Sequence, residues 1–315
     1  PASATLSGVV QIHSSLGIPI HTKAGKIHDP RQSTECPLLG VIVSPGPRRV
    51  ISRNDPERVS KLSALCASLQ SQQTVPALSW KQALGKLGFA AGQSWGRTAR
   101  AALRVLYRAG SKVAFVRLTP VLRAWLSRLA DLLVSGPPRV LLPRTSRPRC
   151  TLWVDGAWSA GRGTVGGVLH TPAGVFYWGD VVPTSVVTLW QRSGTHLVYP
   201  AELYAVWVSL RTFQGLLKGT ALLVFEDNEA ARFSLTSGST ANECAAIQVY
   251  RIWLLLQQLD VLPWVTRVPS KCNPADAPSR QEFSLARKLR WVRVSPDHPP
   301  AWSAGTVDPE PGRAS

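Results

Sequence analysis

Over 315 residues the chain carries 36 Lys and Arg against 18 Asp and Glu, a net charge of +18, with an apolar fraction of 44%. That length suits about two domains with cores of their own, and no uninterrupted apolar run nears the roughly 18–20 residues of a membrane-spanning helix. The five cysteines form no CxxC pair and no regular spacing, so neither a zinc site nor a disulfide framework is suggested, and a reducing compartment, cytoplasm or nucleus, is the expectation. The opening "PASATLSGVVQIHSS" has no basic-then-apolar layout, so nothing points to secretion. No methionine occurs anywhere, and the chain is expected to be a piece of a longer translation product. Its charge is uneven. Residues 1–150 hold 22 basic and 5 acidic side chains, net +17, while residues 151–315 hold 14 and 13, net +1. A half-chain this basic is either a solvated surface kept for solubility or a partner for a polyanion, nucleic acid first among them.

In chain order, residues 1–53 are rich in Ser, Pro and Gly, with short apolar runs "GVVQI", "GIPIHT" and "PLLGVIVS" that predict strands between turns. Asn54-Asp55-Pro56 before "ERVSKLSALCASLQ" is a helix-start signal. "SWKQALGKLGFAAG" and "GRTARAALRVLYRAG" follow as helices, each ended by Gly. In the second, Arg97, Arg100, Arg104 and Arg108 share one helical face. With Arg117, Arg123 and Arg128 in the next helical segment, they favour tracking along a nucleic-acid backbone over a merely solvated face. "SGPPRVLLPRTSRPRC", residues 135–150, has four prolines and four arginines without any period and reads as a domain linker.

From Thr151 the pattern changes to "TLWVD", "TVGGVLH", "GVFYWG" and "ALLVFED", strands rich in β-branched and aromatic residues. Between the third and fourth, "YPAELYAVWVSLRTFQGLL" has Pro200 at the expected first helical position. Leu203, Val206, Trp207, Leu210, Phe213 and Leu217 recur at helical spacing behind it. "ECAAIQVYRIWLLLQQL" predicts a further helix before a fifth strand, "PWVTRVP", and residues 296–315 read as a loose tail.

Four carboxylates stand at the ends of these elements. Asp155 closes the first strand before a turn at "GAWS". Glu202 lies in the first turn of the amphipathic helix, Asp227 ends the fourth strand, and Asp276 stands in "NPADAPSR" after the fifth. Singly, each has a bland reading as a turn residue, a helix cap or a first-turn acid. Carboxylates at the ends of adjacent strands, however, converge on one side of a sheet and repel one another, a conflict that hard divalent cations with oxygen ligands relieve. Two such ions about 3.5–4 Å apart can hold both the attacking water and the leaving oxygen of a phosphodiester. Within "LLVFEDNEAARF", Glu226 adjoins Asp227, and strand alternation sends neighbours to opposite faces. The following Asn favours Asp227.

The order of strands, helices and acids resembles the ribonuclease H domain over residues 151–281, through "WVDGAWSAGRGTVGGVL", "PAELYAVWVSL", "LVFEDNEAA" and "SKCNPADAPSR". The resemblance implies an α/β fold with a mixed five-stranded sheet and flanking helices. It further implies that Asp155, Glu202, Asp227 and Asp276 bind two Mg²⁺ ions, with Mn²⁺ as a substitute. The activity implied is endonucleolytic hydrolysis of the RNA strand of RNA–DNA hybrids, a 3′ hydroxyl leaving. "LGIPIHTKAGKIHDPRQSTECPLLGVIVSPGPRRVI", with Leu39-Gly40 at a turn, resembles the stretch that leaves a reverse transcriptase palm. The helical tract 54–134 is similar to the basic thumb and connection region of retroelements, especially DIRS-like ones. On this reading Arg97, Arg100, Arg104 and Arg108, together with Asn228, Lys271, Asn273 and Arg280 beside the acids, contact nucleic acid, and the missing palm of the same polyprotein is a partner.

The sequence departs from the family in two ways. It has no Asp-Asp pair, so no polymerase activity is expected. No histidine stands between Leu262 and Asp276, where many ribonucleases H have one; Ser270 and Lys271 stand there instead. Proofreading-type exonucleases want a Glu where Ala157 stands, and integrases want one near residue 262, where the sequence reads "VLPWVT". A retroelement remnant that binds nucleic acid without cutting it is the remaining alternative.

Overall fold

The first half alternates short strands with helices. A computed structural model describes residues 35–38, 40–46, 49–142, 146–192 and 197–299. Strands β1 (Cys36–Leu38) and β2 (Val41–Pro45) make an antiparallel hairpin around Gly40, whose φ of 74° suits a residue without Cβ, and β3 (Val50–Asn54) pairs with β2. The strands expected at "GVVQI" and "GIPIHT", and with them most of the palm-like segment, lie outside the described residues. Asp55 caps α1 (Pro56–Ser71) by accepting the Glu57 N–H, with Pro56 at a position where a missing N–H costs nothing. Next come β4 (Thr74–Pro76), α2 (Ala77–Ala91), α3 (Thr98–Ala109), β5 (Phe115–Arg117), α4 (Pro120–Ser135) and β6 (Arg139–Leu141). Arg117 thus lies on a strand and not in a helix.

The expected linker 135–150 is not a plain linker. Gly136 and two prolines end α4, and the next three residues pair antiparallel with β3, whose outer edge would otherwise be open. Arg149 and Cys150 already belong to the following strand.

The second half begins with the meander β7 (Arg149–Ser159), β8 (Arg162–Thr171) and β9 (Gly174–Val181). There follow α5 (Thr184–Arg192), which the sequence reading did not pick out, α6 (Val198–Thr212), α7 (Gln214–Leu217), β10 (Ala221–Glu226), α8 (Glu229–Ser237) and α9 (Glu243–Gln258). The chain continues with β11 (Leu262–Arg267), a 3₁₀ turn at Ser270–Cys272, α10 (Asp276–Ser279), α11 (Ser284–Lys288) and β12 (Val292–Arg293). The sheet order is β11-β10-β7-β8-β9-β12, with β10 parallel to both β7 and β11 and with β8 antiparallel to both neighbours. This is the ribonuclease-H-like mixed sheet that the motifs implied, with a two-residue sixth strand added.

Three expectations need correction. Asp155 does not close its strand: β7 runs on to Ser159, and the chain turns at Ala160-Gly161, both with positive φ as a two-residue hairpin turn requires. Helix α6 starts at Val198, so Pro200 is its third residue, still within the turn whose N–H groups lack helical partners. The start of the supposed tail is packed. Asp297 accepts from Arg211 at 2.9 Å, and His298 Nε2 lies 3.1 Å from Asp180 Oδ2 with its Nδ1 3.1 Å from the Tyr204 hydroxyl. Residues 300–315 lie outside the described residues.

Alternation divides the sheet into two faces. Val154, Gly167 and Trp178 form one cross-strand row facing α6, where Trp178 Nε1 donates to Ser209 Oγ at 3.1 Å. Asp155, Gly166 and Gly179 form the next row on the other face, and α10 lies directly on its two glycines. The two halves of the chain share one core, because α9 packs against α3 and α4. Trp95 meets Trp253 edge-on at 6.1 Å and Trp125 meets Tyr250 at 5.6 Å. Arg128 is buried beneath these rings, 4.9 Å from Trp125 and 5.9 Å from Tyr250, and so is not a phosphate contact.

A Cβ at Gly179 would lie 2.0 Å from the Pro278 carbonyl oxygen, closer than any side chain tolerates. Gly179→Ala is therefore expected to destabilise the fold by about 1–3 kcal/mol, as read by urea unfolding followed by circular dichroism.

Candidate active site

The parallel pairing of β10 with β7 ends at Phe225↔Trp153, and beyond it the two strands leave a gap. Two further residues along β7 comes Asp155, and two further along the other chain comes Asp227, just past the end of β10. Helix α6 closes the gap from one face. Gly156 lets it approach: a Cβ there would stand 2.5 Å from the Glu202 backbone N and 2.6 Å from the Ala201 carbonyl carbon. The Gly156 N–H donates to Glu202 Oε2 at 2.7 Å. As a result Asp155, Glu202 and Asp227 each offer a carboxylate oxygen within 4.8 Å of the others. Asp155 and Glu202 are buried and Asp227 is half-buried.

Each buried carboxyl shows the strain of that grouping. Burial pushes Asp155 up to about 6, with the charges of Asp227 and Asp276 adding to the rise, while the Ser279 hydroxyl donates to Asp155 Oδ2 and opposes it. Glu202 is held well above the usual carboxylate range by burial first, then by Glu226, Asp155 and Asp227. Asp227 Oδ1 is a buried oxygen with no hydrogen-bond partner. An all-oxygen set with an orphaned buried acceptor fits a hard divalent ion such as Mg²⁺ or Mn²⁺. Asp155, Glu202 and Asp227 are the side chains that would hold it.

Asp276 does not join this trio. It opens α10 at the rim, where its Oδ1 accepts from Arg280 Nη2 at 2.9 Å and Nε at 3.0 Å, and it reaches Asp155 only through its charge. Glu226, set aside by alternation, is fully buried beside Glu202. Its Oε1 accepts the Asn228 N–H at 3.2 Å, its Oε2 is buried without a partner, and burial pushes its carboxyl up strongly. Alternation separates it from Asp227 only while the strand lasts, and β10 stops between the two. Ser279 was missed as well, although its position three residues after Asp276 places both on one side of a single helical turn.

The expected nucleic-acid contacts fare differently. Asn273 is buried: its Nδ2 donates to the Val154 carbonyl at 2.8 Å and its Oδ1 accepts the Ala275 N–H at 3.1 Å. It fastens the acidic turn to β7 and is not an open contact. Asn228 caps α8, its Oδ1 accepting the Ala230 and Ala231 N–H groups. Lys271 and Arg280 are exposed beside the cluster. Arg97 sits at the cap position before α3, and with Arg100, Arg104 and Arg139 it borders a cleft of about 580 Å³ that also includes Trp95 and Trp253. Burial and the charges of Arg100 and Arg139 lower the Arg97 pKa. Arg108 is turned toward the Ala241 carbonyl at 2.5 Å. Leu262, at the start of β11, lines the same cleft and is in register with Ala221 and Arg149, each six residues before a carboxylate, so this edge of the cleft lies roughly 20 Å along the strand direction from Asp155 and Asp227.

No family model matches the chain, and no curated protein matches it. Among solved structures it is similar to RNase H1 from the halophilic archaeon Halobacterium salinarum NRC-1, at 21% identity over 43% of this chain and 97% of that chain, with a TM-score of 0.36. It is similar to LC11-RNase H1, isolated from compost and solved in complex with an RNA/DNA hybrid, at 14% identity over 44% and 99%, TM-score 0.31. A third is the foamy viral protease-reverse transcriptase in complex with an RNA/DNA hybrid, at 13% identity over 77% of this chain and 30% of that one, TM-score 0.29.

A buried carboxyl whose folded pKa is raised binds its proton more tightly folded than unfolded, so its contribution to stability is present below the unfolded value and lost as pH rises through the folded one. For Asp155 that window runs from 3.8 to about 6. In EDTA the melting temperature is expected to fall across this range. Asp155→Asn is expected to flatten the fall and to add on the order of 1–3 kcal/mol at pH 7. Mg²⁺ should stabilise the wild type at pH 7 and leave Asp155→Asn almost unmoved, all read by differential scanning fluorimetry.

Proposed function

We propose that the chain hydrolyses the RNA strand of RNA–DNA hybrids with divalent cations, as the C-terminal part of a retroelement reverse transcriptase whose motifs are nearest the DIRS-like kind. The observation that carries this reading is the meeting of Asp155, Glu202 and Asp227 within 4.8 Å, on the elements and in the order that the ribonuclease H resemblance implies. Asp155, Glu202 and Asp227 would hold two Mg²⁺ or Mn²⁺ ions, which would supply Lewis acidity toward the scissile phosphate and lower the pKa of the attacking water.

The chain's own part is to hold the ligands still and to seat the polyanion. Gly156 N–H and Ser279 Oγ each fix one carboxyl oxygen, which sets the direction in which the remaining oxygens point. Asp276, paired with Arg280 at the rim, would be the fourth metal ligand. Arg280 and Lys271 stand where a phosphate beside the cluster would be, and the arginine cleft seats the backbone farther along the duplex. Recognition rests on helix shape and 2′-hydroxyls, with little base specificity.

Asp227→Asn is expected to lower cleavage of a labelled hybrid by on the order of 10²–10³-fold or more while leaving hybrid binding in EDTA intact. A wild type that binds the hybrid and never cuts it in Mg²⁺ or Mn²⁺ would make the chain a binding remnant. Replacing Arg100 and Arg104 together with Ala is expected to weaken hybrid binding and to reduce the slope of log K against log salt by about 2, measured by anisotropy titration at several salt concentrations.

A further inference from the structure

Among the described residues, the β10–β11 half of the sheet's second face has no helix over it. On this face α10 and α11 cover β8, β9 and the adjoining part of β7, and Trp153 packs partly against the cluster beneath them. Helices α8 and α9 pack together with α6 on the opposite face, against Leu222 and Val224. The side chains that β7, β10 and β11 turn toward the open side include Trp153, Phe225 and Trp264, one aromatic ring from each of three adjacent strands. Trp153 and Phe225 stack in parallel, with centroids 5.4 Å apart and planes 6° from each other. Both are half-buried, and Trp264 on the free edge strand is 72% exposed.

Position and charge say what such a surface would take. Trp153 lies two residues before Asp155 on the same side of β7, about 7 Å along the strand, and Phe225 is the last residue but one of β10, just before the turn that carries Asp227. The border is mostly basic: Arg149 at the far end of β7, Arg267 at the end of β11, Lys271 beyond Asp227, and Arg287, Lys288 and Arg290 on and after α11 are all exposed, while of the exposed acids there Asp260 is paired with Arg147 and Glu229 with Arg232 and Arg267, leaving Glu282. Aromatic rings on a sheet between cations match unpaired nucleotides, whose bases offer flat faces and whose phosphates offer charge.

We propose that the open half-face of β7, β10 and β11, through Trp153, Phe225 and Trp264, stacks the unpaired bases of a single-stranded nucleic acid running on from the carboxylate cluster. The proposal rests on the nuclease reading for the class of its occupant, and on nothing else in it. A single strand leaving the cut site, or an overhang of the hybrid, would lie across the rings with its backbone toward the basic border. A fully paired duplex, whose bases already stack on one another, would gain nothing from them.

Trp264 tests this best, being exposed and outside the carboxylate centre. The full chain in EDTA at physiological salt is titrated against a fluorescein-labelled ten-nucleotide single strand and a blunt hybrid of the same length, with Trp264→Ala and Trp264→Phe alongside. Stacking is worth about 1–3 kcal/mol per base, so Trp264→Ala is expected to weaken single-strand binding by roughly 5- to 150-fold. Trp264→Phe should retain most of the affinity, and blunt-hybrid binding should not change. Equal single-strand affinity in Trp264→Ala and wild type overturns the proposal. So does a sedimentation shift from dimer to monomer in Trp264→Ala with single-strand binding unchanged, which would assign the face to a second copy of the chain. Failure of the nuclease reading registers separately, as a wild type that does not cut the hybrid in Mg²⁺ or Mn²⁺ whatever Trp264 does.

Discussion

The contact on which everything else depends is backbone against backbone, where α6 crosses β7 at Gly156. No side chain fits between the strand and the helix there, so the helix sits low enough for Glu202 to accept a strand N–H and to lie beside Asp155. A helix standing off by one methyl group would lift Glu202 away from that N–H. The same device works on the opposite face, where Gly166 and Gly179 admit α10 and with it Ser279. Asp155 is thereby approached from both faces of the sheet, at the point where β10 has ended and the sheet is open.

That geometry is costly without a counter-ion. Three carboxylates meet in a largely buried space, with a fourth, Glu226, packed behind Glu202, and the guanidinium of Arg280, whose charge reaches Asp155, is already paired with Asp276. Hydrogen bonds from Gly156 and Ser279 offset only part of the burial and repulsion that raise Asp155 and Glu202. A protein with net charge +18 has abundant cations, yet it keeps them out of this space and sets them in the α3 cleft and along the sheet border. On the proposed function, this separation would let a polyanion be held by its phosphates on the basic surfaces while one phosphate is presented to the acidic centre. It also explains why the two halves are joined through a shared core at α9: a mobile tether between the arginine cleft and the carboxylates would let their spacing drift.

Much of the second half was legible in the sequence because its signals are local. Strand alternation, the apolar stripe of α6, the Asn caps and the acids beside element ends all repeat within a few residues, and they placed Asp155, Glu202 and Asp227 on the right elements. The misreadings share one cause, which is that a partner distant in sequence decided the outcome. Asp155-Gly156 looks like a turn unless the helix that needs that glycine is known. Asn273 looks like a polar contact until the Val154 carbonyl, 119 residues away, takes its amide. Arg128 reads as one more surface cation until Tyr250 and Trp125 close over it.

The sequence by itself determined the charge asymmetry, the order of strands and helices, and which acids stand at their ends, since composition and short-range periodicity depend only on neighbouring residues. Only the tertiary structure decided that three acids meet while Asp276 stays at the rim. It alone decided that Glu226 is buried beside Glu202, that residues 139–141 complete a sheet, and that three aromatic rings share an uncovered face. Each of these turns on how closely two backbones approach or on what a neighbouring element leaves bare, and neither is written in the residues adjacent along the chain.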